Sequence, residues 1–272
     1  MSLRFAALLA AALVATAAAR AQAPAVLPTP PIVVQASPAR LDAILTRGIL
    51  RVGMTGDYRP FSGWDKEKNA FDGFDVDVAQ ALAKSMGVKV EFVKTSWPTL
   101  MKDFQAEAFD IAMSGVSVTL DRAKVGYFST PIMREGKTPI VRCEDKGKYE
   151  ELSQIDRSGV RVVVNPGGTN ERFARANVKT APITVFPDNA SIFEEIAEGR
   201  ADVMMTDSSE TLYQQKQHPG VLCAVHPDKP FDFAEKAYWM QRDMALKQFV
   251  DQWLHIARET GDFAKMRAKY FD

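Results

Sequence analysis

Two glutamates and one arginine stand where proton transfer and anion binding would need them. Glu171 and Glu210 each fall in the first turn of a predicted helix that follows a predicted strand. Open α/β sheets bind ligands at that edge, and a carboxylic acid held near its working pKa can donate a proton there. Arg122 ends the serine-containing segment 114–122, and a guanidinium can hold a carboxylate through two parallel hydrogen bonds. These residue types could move a proton and bind an anion, and the alternative for Arg122 is a surface arginine at the start of a helix.

Both glutamates also have a purely structural interpretation. Acidic side chains favour the first turn of a helix, where the helix dipole is positive. Asp207 and Glu210 have the spacing of a capping box. Asp207 would also tend to keep Glu210 protonated, because two neighbouring carboxylates resist ionising together. The residues alone therefore leave the choice between Glu171 and Glu210 open.

Uncharged polar and aromatic side chains could complete the site. The candidates for further hydrogen bonds are Ser114, Ser117, Asn165 and Thr169. These residue types also cap helices, so each is a weak signal by itself. Trp97 and Tyr58 could lie on either side of a ring, and the alternative for Trp97 is a place in the core. The three histidines lack metal-ligand spacing, and the predicted chemistry needs neither a metal nor an organic cofactor.

Composition excludes several classes of protein. The 272 residues contain 34 Lys and Arg against 34 Asp and Glu, so no basic excess is available to neutralise the phosphates of a nucleic acid. The glycine-containing stretch 165–170 lacks the Gly-Lys-Ser/Thr of a phosphate-binding loop. The chain also lacks a Gly-x-Ser-x-Gly elbow and a His-Glu-x-x-His zinc motif.

The N-terminus is typical of an exported protein. Residues 1–23 combine a basic start at Arg4 with an apolar, alanine-rich run, which predicts a signal peptide cleaved after Ala19 or Ala23. Residues 24–39 are rich in proline and are predicted to be an extended tether. No later segment reaches the length needed to span a membrane. The even pair Cys143 and Cys223 favours one disulfide in an oxidising compartment, and two buried thiols are the alternative.

Strands and helices alternate along the rest of the chain. The predicted strands are 49–53, 88–93, 109–113, 160–165, 184–186 and 201–206, and the predicted helices are 40–46, 75–86, 97–105, 170–176, 189–198, 208–217 and most of 243–271. Such alternation implies parallel sheets covered on both faces by helices. Two runs of it, divided near residues 132–142, predict two α/β lobes.

Several motifs resemble one family of proteins. The run Gly73–Val78 and the helix behind it resemble the signature of the polar amino-acid family of bacterial extracellular solute-binding proteins. The resemblance covers about residues 40–270 and implies a two-lobed periplasmic-binding-protein fold of type II, with two mixed, mostly parallel sheets and a ligand cleft between the lobes. Lobe one is expected to contain residues 40–134 and 236–272, and lobe two residues 135–235. Two hinge strands are expected to join the lobes.

The same resemblance implies roles for three segments. Arg122 would pair with the carboxylate of the ligand, and residues 167–170 would form an anion-binding loop in the second lobe. Asp207, at the end of the strand 201–206, would receive an ammonium group.

A closer resemblance is to an enzyme family that shares this fold. The stretches 95–98, 113–115, 165–171, 173–177 and 232–238 resemble the cyclohexadienyl dehydratases. This resemblance implies a periplasmic lyase that converts prephenate to phenylpyruvate and arogenate to phenylalanine. It assigns Glu210 as the general acid, three residues beyond Asp207, and leaves Glu171 at the helix end and the pocket wall. The alternative is an amino-acid-binding protein of a membrane transporter; a homo-oligomer is compatible with either function.

Overall fold

The computed structural model describes residues 39–272. The predicted signal peptide, 1–23, and residues 24–38 of the predicted tether lie outside this range. The helices are α1 Arg40–Arg47, α2 Phe74–Ser85, α3 Leu100–Gln105, α4 Leu120–Ala123, α5 Leu152–Ile155, α6 Thr169–Asn177, α7 Ile192–Ala197, α8 Ser208–Gln217, α9 Met244–Glu259 and α10 Asp262–Phe271, with a 3₁₀ helix at Cys143–Lys148. The strands are β1 Ile49–Met54, β2 Asp57–Tyr58, β3 Ser62–Asp65, β4 Ala70–Asp72, β5 Lys89–Lys94, β6 Ile111–Ala112, β7 Tyr127–Phe128, β8 Met133–Glu135, β9 Lys137–Arg142, β10 Val162–Val164, β11 Ile183–Val185, β12 Val203–Asp207, β13 Leu222–Ala224, β14 Ala234–Lys236 and β15 Trp239–Met240.

Two five-stranded sheets form the centres of two lobes. Their strand orders are β5-β1-β6-β15-β7 and β11-β10-β12-β9-β13. In both sheets the fourth strand alone runs antiparallel to its neighbours. The sequence-based prediction of two mixed, mostly parallel sheets in a two-lobed fold is confirmed. In lobe two, Val162 and Val164 face one apolar cluster and Val163 faces another, as expected for a strand buried on both sides.

The two lobes are joined near a short antiparallel pair, β8 with β14. Lys236 of β14 also bridges to Ser117 of lobe one. The predicted lobe boundaries, at residues 134–135 and 235–236, fall within this pair. These boundaries remain a prediction.

The signature motif of lobe one positions the segment that leads to Arg122. Gly73 has a φ of 128°, and a Cβ there would approach the Phe61 carbonyl oxygen to 2.5 Å, so only glycine fits. Asp75 is buried, and its Oδ2 accepts a 2.6 Å hydrogen bond from the Gly115 amide. Asp75 therefore fixes the turn at Gly115, in addition to suiting the helix N-terminus as the sequence indicated.

Several elements differ from the sequence-based prediction, and two of the differences lie in lobe one. The helix predicted over 97–105 begins only at Leu100, because the backbone from Ser96 to Thr99 forms a turn that packs against lobe two. The small antiparallel sheet β2-β3-β4 was not predicted, since its strands are only two to four residues long.

The predicted disulfide is present. Cys143 and Cys223 have Cα atoms 4.8 Å apart and close a separation of 80 residues. Cys223 belongs to β13, which pairs with β9 just before Cys143, so the bond fastens an edge strand of the second sheet. Within residues 39–272, no helix is both long and apolar enough to cross a lipid bilayer.

Candidate active site

The candidate site is a very small cavity between the lobes. It is lined by Tyr58, Trp97, Ser117, Asn165, Gly168, Thr169, Asn170, Asp207 and Lys236. Six of these were predicted from the sequence: Tyr58, Trp97, Ser117, Asn165, Thr169 and Asp207. The space between them is about 10 Å³, room for the centre of about one water molecule. A ring-sized ligand therefore enters only after the lobes separate.

Asp207 is the centre of the hydrogen-bond network in this cavity. It is the last residue of β12, and sheet register places it directly opposite Lys137 of β9. Lys137 donates from Nζ to Asp207 Oδ1 at 2.7 Å, and Lys236 donates to Oδ2 at 2.7 Å. The Tyr58 hydroxyl donates to the same Oδ2 at 2.5 Å. The Asp207 carboxylate of lobe two is thus bound by Lys137 at one oxygen and by Lys236 and the Tyr58 hydroxyl at the other.

The two lysines are themselves fully engaged. Lys137 also donates to Thr169 Oγ1 at 3.0 Å and to Asn170 Oδ1 at 2.5 Å. Lys236 also donates to Ser117 Oγ at 2.9 Å and lies 3.4 Å from Glu135 Oε1. Both ammonium groups are buried, so each needs the anion beside it.

Charges in this network shift the pKa values in different directions. Burial alone would raise the pKa of Asp207, but Lys137 and Lys236 outweigh it and hold that pKa well below its usual range. Burial lowers the pKa of Lys137, while Asp207 opposes that effect. Burial also acts to lower the pKa of Lys236, but Asp207 and Glu135 together raise it. The charged forms of Asp207 and Lys236 are therefore favoured.

Glu210 is buried behind the cavity wall. It is the third residue of α8, and its Oε2 accepts a hydrogen bond from Thr206 Oγ1 at 2.5 Å. Thr206 in turn accepts from Asn170, which lines the cavity. Burial raises the pKa of Glu210 to about 8. The sequence suggested Asp207 as the cause of protonation, but burial is the larger cause and Asp207 adds to it.

Glu171 lies in quite different surroundings. Its Oε2 accepts the Gly167 amide at 2.7 Å, and its Oε1 accepts Arg175 Nε at 2.8 Å. The backbone hydrogen bond from Gly167 is the main cause of a lowered pKa, although burial opposes it. Glu171 does not line the cavity; it holds the loop that enters α6.

Arg122 is a buried cation whose charge is not balanced by a nearby acid. Its side chain donates to the Ser117 carbonyl oxygen at 2.8 Å, and among residues 39–272 no carboxylate lies within 4.0 Å of it. Burial lowers the pKa of Arg122 to about 10, and the nearby Arg172 adds to this shift. A buried charge without a close partner is costly. Arg122 is not among the residues that line the cavity, and its contact with a ligand carboxylate remains a prediction.

The aromatic side chains do not form the sandwich that the sequence suggested. The rings of Tyr58 and Trp97 contact each other edge to face, with centroids 5.4 Å apart and planes at 87°. Tyr58 instead stacks on Phe61 at 5.3 Å. Across the cleft, Gly167 approaches Pro98 so closely that a Cβ would lie 2.6 Å from the Pro98 Cα. The turn of lobe one that carries Trp97 and Pro98 therefore packs directly against the loop of lobe two at Gly167.

The remaining predicted polar residues fall into two groups. Asn165 lines the cavity and accepts a hydrogen bond from Asn170 at 3.0 Å. Ser114 does not line it, because its hydroxyl is bound inside lobe one by Thr55 and Ser62 at 2.9 and 2.5 Å. Ser114 therefore supports the site from behind rather than facing a ligand in this arrangement.

A larger cavity lies elsewhere and contains none of the predicted site residues. It has a volume of about 560 Å³ and is lined by Glu135 of β8, by Phe233 just before β14, by Tyr213 of α8 and by Phe271 of α10. Size alone would favour this cavity as the functional site. We place the site at Asp207 instead, because two buried lysines, Lys137 and Lys236, donate to that buried carboxylate.

Three charged residues of the Asp207 network were not predicted from the sequence: Lys137, Lys236 and Glu135. All three lie in or beside the hinge strands, in stretches that are otherwise largely apolar or paired in a sheet. A lysine at the start of a fully buried strand such as Lys137-Thr-Pro-Ile-Val was an available signal, because a lysine is almost never fully buried unless it is paired.

Comparison with known proteins agrees with the fold. Residues 50–272 match the model of the bacterial extracellular solute-binding proteins, family 3, and the chain belongs to that family. Within it, the chain is 57% identical over 227 residues to cyclohexadienyl dehydratase of Pseudomonas aeruginosa, covering 84% of each protein.

Two solved structures extend this comparison. An ancestral cyclohexadienyl dehydratase is 54% identical, with a TM-score of 0.55 over 87% of this chain and 98% of that one. An ancestral amino-acid-binding protein, described as a precursor of cyclohexadienyl dehydratase, is 37% identical with a TM-score of 0.79, over 85% and 99% of the two chains. The relatives therefore include both an enzyme and a binding protein.

Proposed function

We propose that this protein is a periplasmic cyclohexadienyl dehydratase that converts prephenate to phenylpyruvate and arogenate to phenylalanine. The observation that carries the proposal is Glu210, a buried carboxyl whose pKa is raised to about 8 and which is linked through Thr206 to Asn170 of the cavity wall. Such a group keeps its proton at neutral pH, as a general acid requires. A receptor that only delivers an amino acid needs no proton donor there. The 57% identity to the Pseudomonas aeruginosa enzyme supports the same conclusion.

The main catalytic requirement of the reaction is a proton for the departing hydroxyl group. In prephenate, one ring carbon carries a carboxylate and another carries a hydroxyl. As the bond to the carboxylate breaks, CO₂ leaves and its electron pair enters the ring, which becomes aromatic while the C–O bond breaks. Glu210 gives its proton to the departing oxygen, so water leaves instead of hydroxide. The Glu210 carboxylate then takes a proton from solvent before the next turnover.

The other residues bind and orient the substrate in this proposal. Arg122 holds the side-chain carboxylate as a bidentate partner. Ser117, Asn165 and Thr169 donate hydrogen bonds from the cavity wall, and Trp97 with Tyr58 contacts the ring. Ser114 and Glu171 support these groups from behind. Substrate entry separates the lobes, and reclosure brings the ring hydroxyl within reach of Glu210.

A direct assay tests the proposal. Purified protein is mixed with prephenate, and the ultraviolet absorbance of phenylpyruvate is followed; arogenate is assayed by chromatography of phenylalanine. We expect turnover of at least one substrate by the wild type and strongly reduced turnover by Glu210→Gln. If the wild type consumes neither substrate, the protein is instead an amino-acid-binding protein, and calorimetric titration with polar and aromatic amino acids identifies its ligand.

The location of the protein is a second part of the proposal. The family consists of extracellular proteins, and residues 1–23 have the pattern of a signal peptide. N-terminal sequencing of the protein from a periplasmic extract should show a chain that starts after Ala19 or after Ala23. Recovery of the uncut chain from the cytoplasmic fraction alone would contradict export.

A further inference from the structure

The first turn of α8 is not capped by its own N-cap residue. Asp207 stands at the N-cap position, but its side chain makes no capping hydrogen bond, since its two oxygens accept donors from Lys137 and Lys236. Glu210, the third residue of the helix, accepts from Thr206 and does not complete the capping box that its spacing suggested. The amides that begin α8 therefore need acceptors from another part of the chain.

Strand β8 and the residue after it supply these acceptors. The Ser209 amide donates to Glu135 Oε2 at 3.0 Å, and the Ser208 amide donates to the Gly136 carbonyl oxygen at 3.1 Å. Glu135 is the last residue of β8 and is buried. Its carboxyl group lies at the positive end of the helix dipole, a position that suits an acidic side chain. Residues 135 and 136 thus bind the first two amides of α8.

The segment that carries these acceptors is itself tightly held. Asp232 Oδ1 accepts the Lys137 amide at 2.6 Å, at the start of β9. A Cβ on Gly136 would collide with the Asp232 carbonyl oxygen, so a larger residue does not fit there. The acceptors at Glu135 and Gly136 are therefore fixed relative to the second sheet.

Glu210 follows directly after the amide that Glu135 binds. Ser209 and Glu210 are the second and third residues of α8, so a first turn that frayed would move the Glu210 carboxyl group away from Thr206. Glu135, Ser209 and Glu210 all lie within residues 135–235, the range predicted for lobe two. The capping bond therefore does not cross the ligand cleft.

We propose that Glu135 is a positioning residue that caps α8 and thereby holds the general acid Glu210 in its working place. The inference rests on the proposed function, in which Glu210 donates the proton. Glu135 does not line the candidate site, so it acts through Glu210 and not on the substrate. A competing role for Glu135 is electrostatic, because its Oε1 lies 3.4 Å from Lys236 Nζ.

Two substitutions of Glu135 separate capping from charge. Glu135→Gln keeps the length of the side chain and an acceptor oxygen for Ser209, but it loses the charge beside Lys236. Glu135→Asp keeps the charge but shortens the side chain by one carbon–carbon bond, about 1.5 Å, so the hydrogen bond to Ser209 is lost. We expect Glu135→Asp to lower kcat for prephenate at least about tenfold with little change in KM, because a misplaced catalytic group slows the chemical step. Glu135→Gln should recover most of this kcat.

Loss of a comparable acceptor elsewhere in the same lobe is the control. Asp156 Oδ1 accepts the backbone amides of Thr180 and Ala181 at 2.5 and 2.9 Å. Asp156→Ala should lower the free energy of unfolding, measured in urea, without lowering kcat. A loss of kcat in Asp156→Ala as large as that in Glu135→Asp would show that stability alone governs the rate and would overturn the inference.

The two Glu135 variants also decide the inference directly. Circular dichroism verifies that each variant folds. A wild-type kcat in Glu135→Asp overturns the inference, and so does a greater loss of kcat in Glu135→Gln, since the charge beside Lys236 would then be the feature that matters. If Glu135→Asp does not fold, Glu135→Gln decides, and a tenfold loss of its kcat counts against capping. A wild type that uses neither prephenate nor arogenate defeats the proposed function, on which the inference rests.

Discussion

Glu171 and Glu210 occupy equivalent places and behave in opposite ways. Each is the third residue of a lobe-two helix, and these helices follow the adjacent parallel strands β10 and β12. Glu171 accepts a backbone amide and an arginine, which lower its pKa. Glu210 accepts only one hydroxyl hydrogen bond, and burial raises its pKa to about 8. Position on a helix therefore does not decide which glutamate carries a proton; the number of donors and the exposure to water do.

The largest effect on kcat should come from Glu210→Gln, and Glu171→Gln is the matched comparison. Glu210→Gln keeps the size of the side chain but cannot release a proton usefully, so kcat should fall about 10²- to 10⁴-fold while substrate binding survives. Glu171→Gln should change kcat by less than about threefold, because this residue lies outside the proposed chemistry. Steady-state kinetics with prephenate measures both. A greater loss of kcat in Glu171→Gln would reverse the assignment of the proton donor.

The pH dependence of folding should separate the two residues next. Glu210 has its pKa raised from 4.5 to about 8, so its stabilising contribution is fully present below about pH 4.5 and is lost as the pH rises to about 8. Glu210→Gln stays neutral throughout. Its free energy of unfolding, relative to the wild type, should therefore increase between pH 5 and pH 9 by an amount on the order of several kcal/mol. Urea titrations at several pH values measure this difference.

Glu171 should show the opposite sign in the same experiment. Its pKa is lowered, so its contribution is present above the unfolded value and is lost as the pH falls through the folded one. Glu171→Gln should be less stable than the wild type at neutral pH, and the deficit should shrink in acid. Parallel pH profiles for the two variants would contradict the comparison.

Sequence alone predicted much of this arrangement, because the strongest signals were local. The alternation of strands and helices and the helix Ser208–Gln217 follow from patterns within short windows, and the disulfide follows from there being two cysteines to pair. Lys137 and Lys236 were missed because their meaning depends on contacts with Asp207 across 70 and 29 residues. The different pKa values of Glu171 and Glu210 were also hidden, since burial depends on the whole lobe.

A substitution of Arg122, the proposed partner of the substrate carboxylate, should weaken substrate binding without changing the pKa of Glu210. Arg122→Lys keeps the positive charge but loses the bidentate fork. A charge-assisted hydrogen bond is worth about 1.5–3 kcal/mol, so kcat/KM should fall at least about tenfold. The basic limb of the pH–rate profile should stay in place, because Glu210 is unchanged. Wild-type kinetics in Arg122→Lys would place this arginine outside the site.

The smallest effect should come from the hydroxyl that touches Glu210. Thr206 Oγ1 donates to Glu210 and lowers its pKa against the larger effect of burial. Thr206→Val removes the donor at nearly constant size, so the basic limb of kcat/KM should move to higher pH. Thr180→Val, at an exposed position, is the control. A shift toward lower pH would contradict the direction of this hydrogen bond.

The register between β9 and β12 has a consequence for how this chain tolerates length changes. Asp207 faces Lys137 because five consecutive residue pairs are aligned between these strands. A slip of one residue in β9 would place Gly136 or Thr138 opposite Asp207 and turn the lysine to the other face of the sheet. A single inserted or deleted codon within the hinge segment would thus dismantle the site without altering any residue in it. Surface loops of the same lobe, by contrast, can lengthen at little thermodynamic cost.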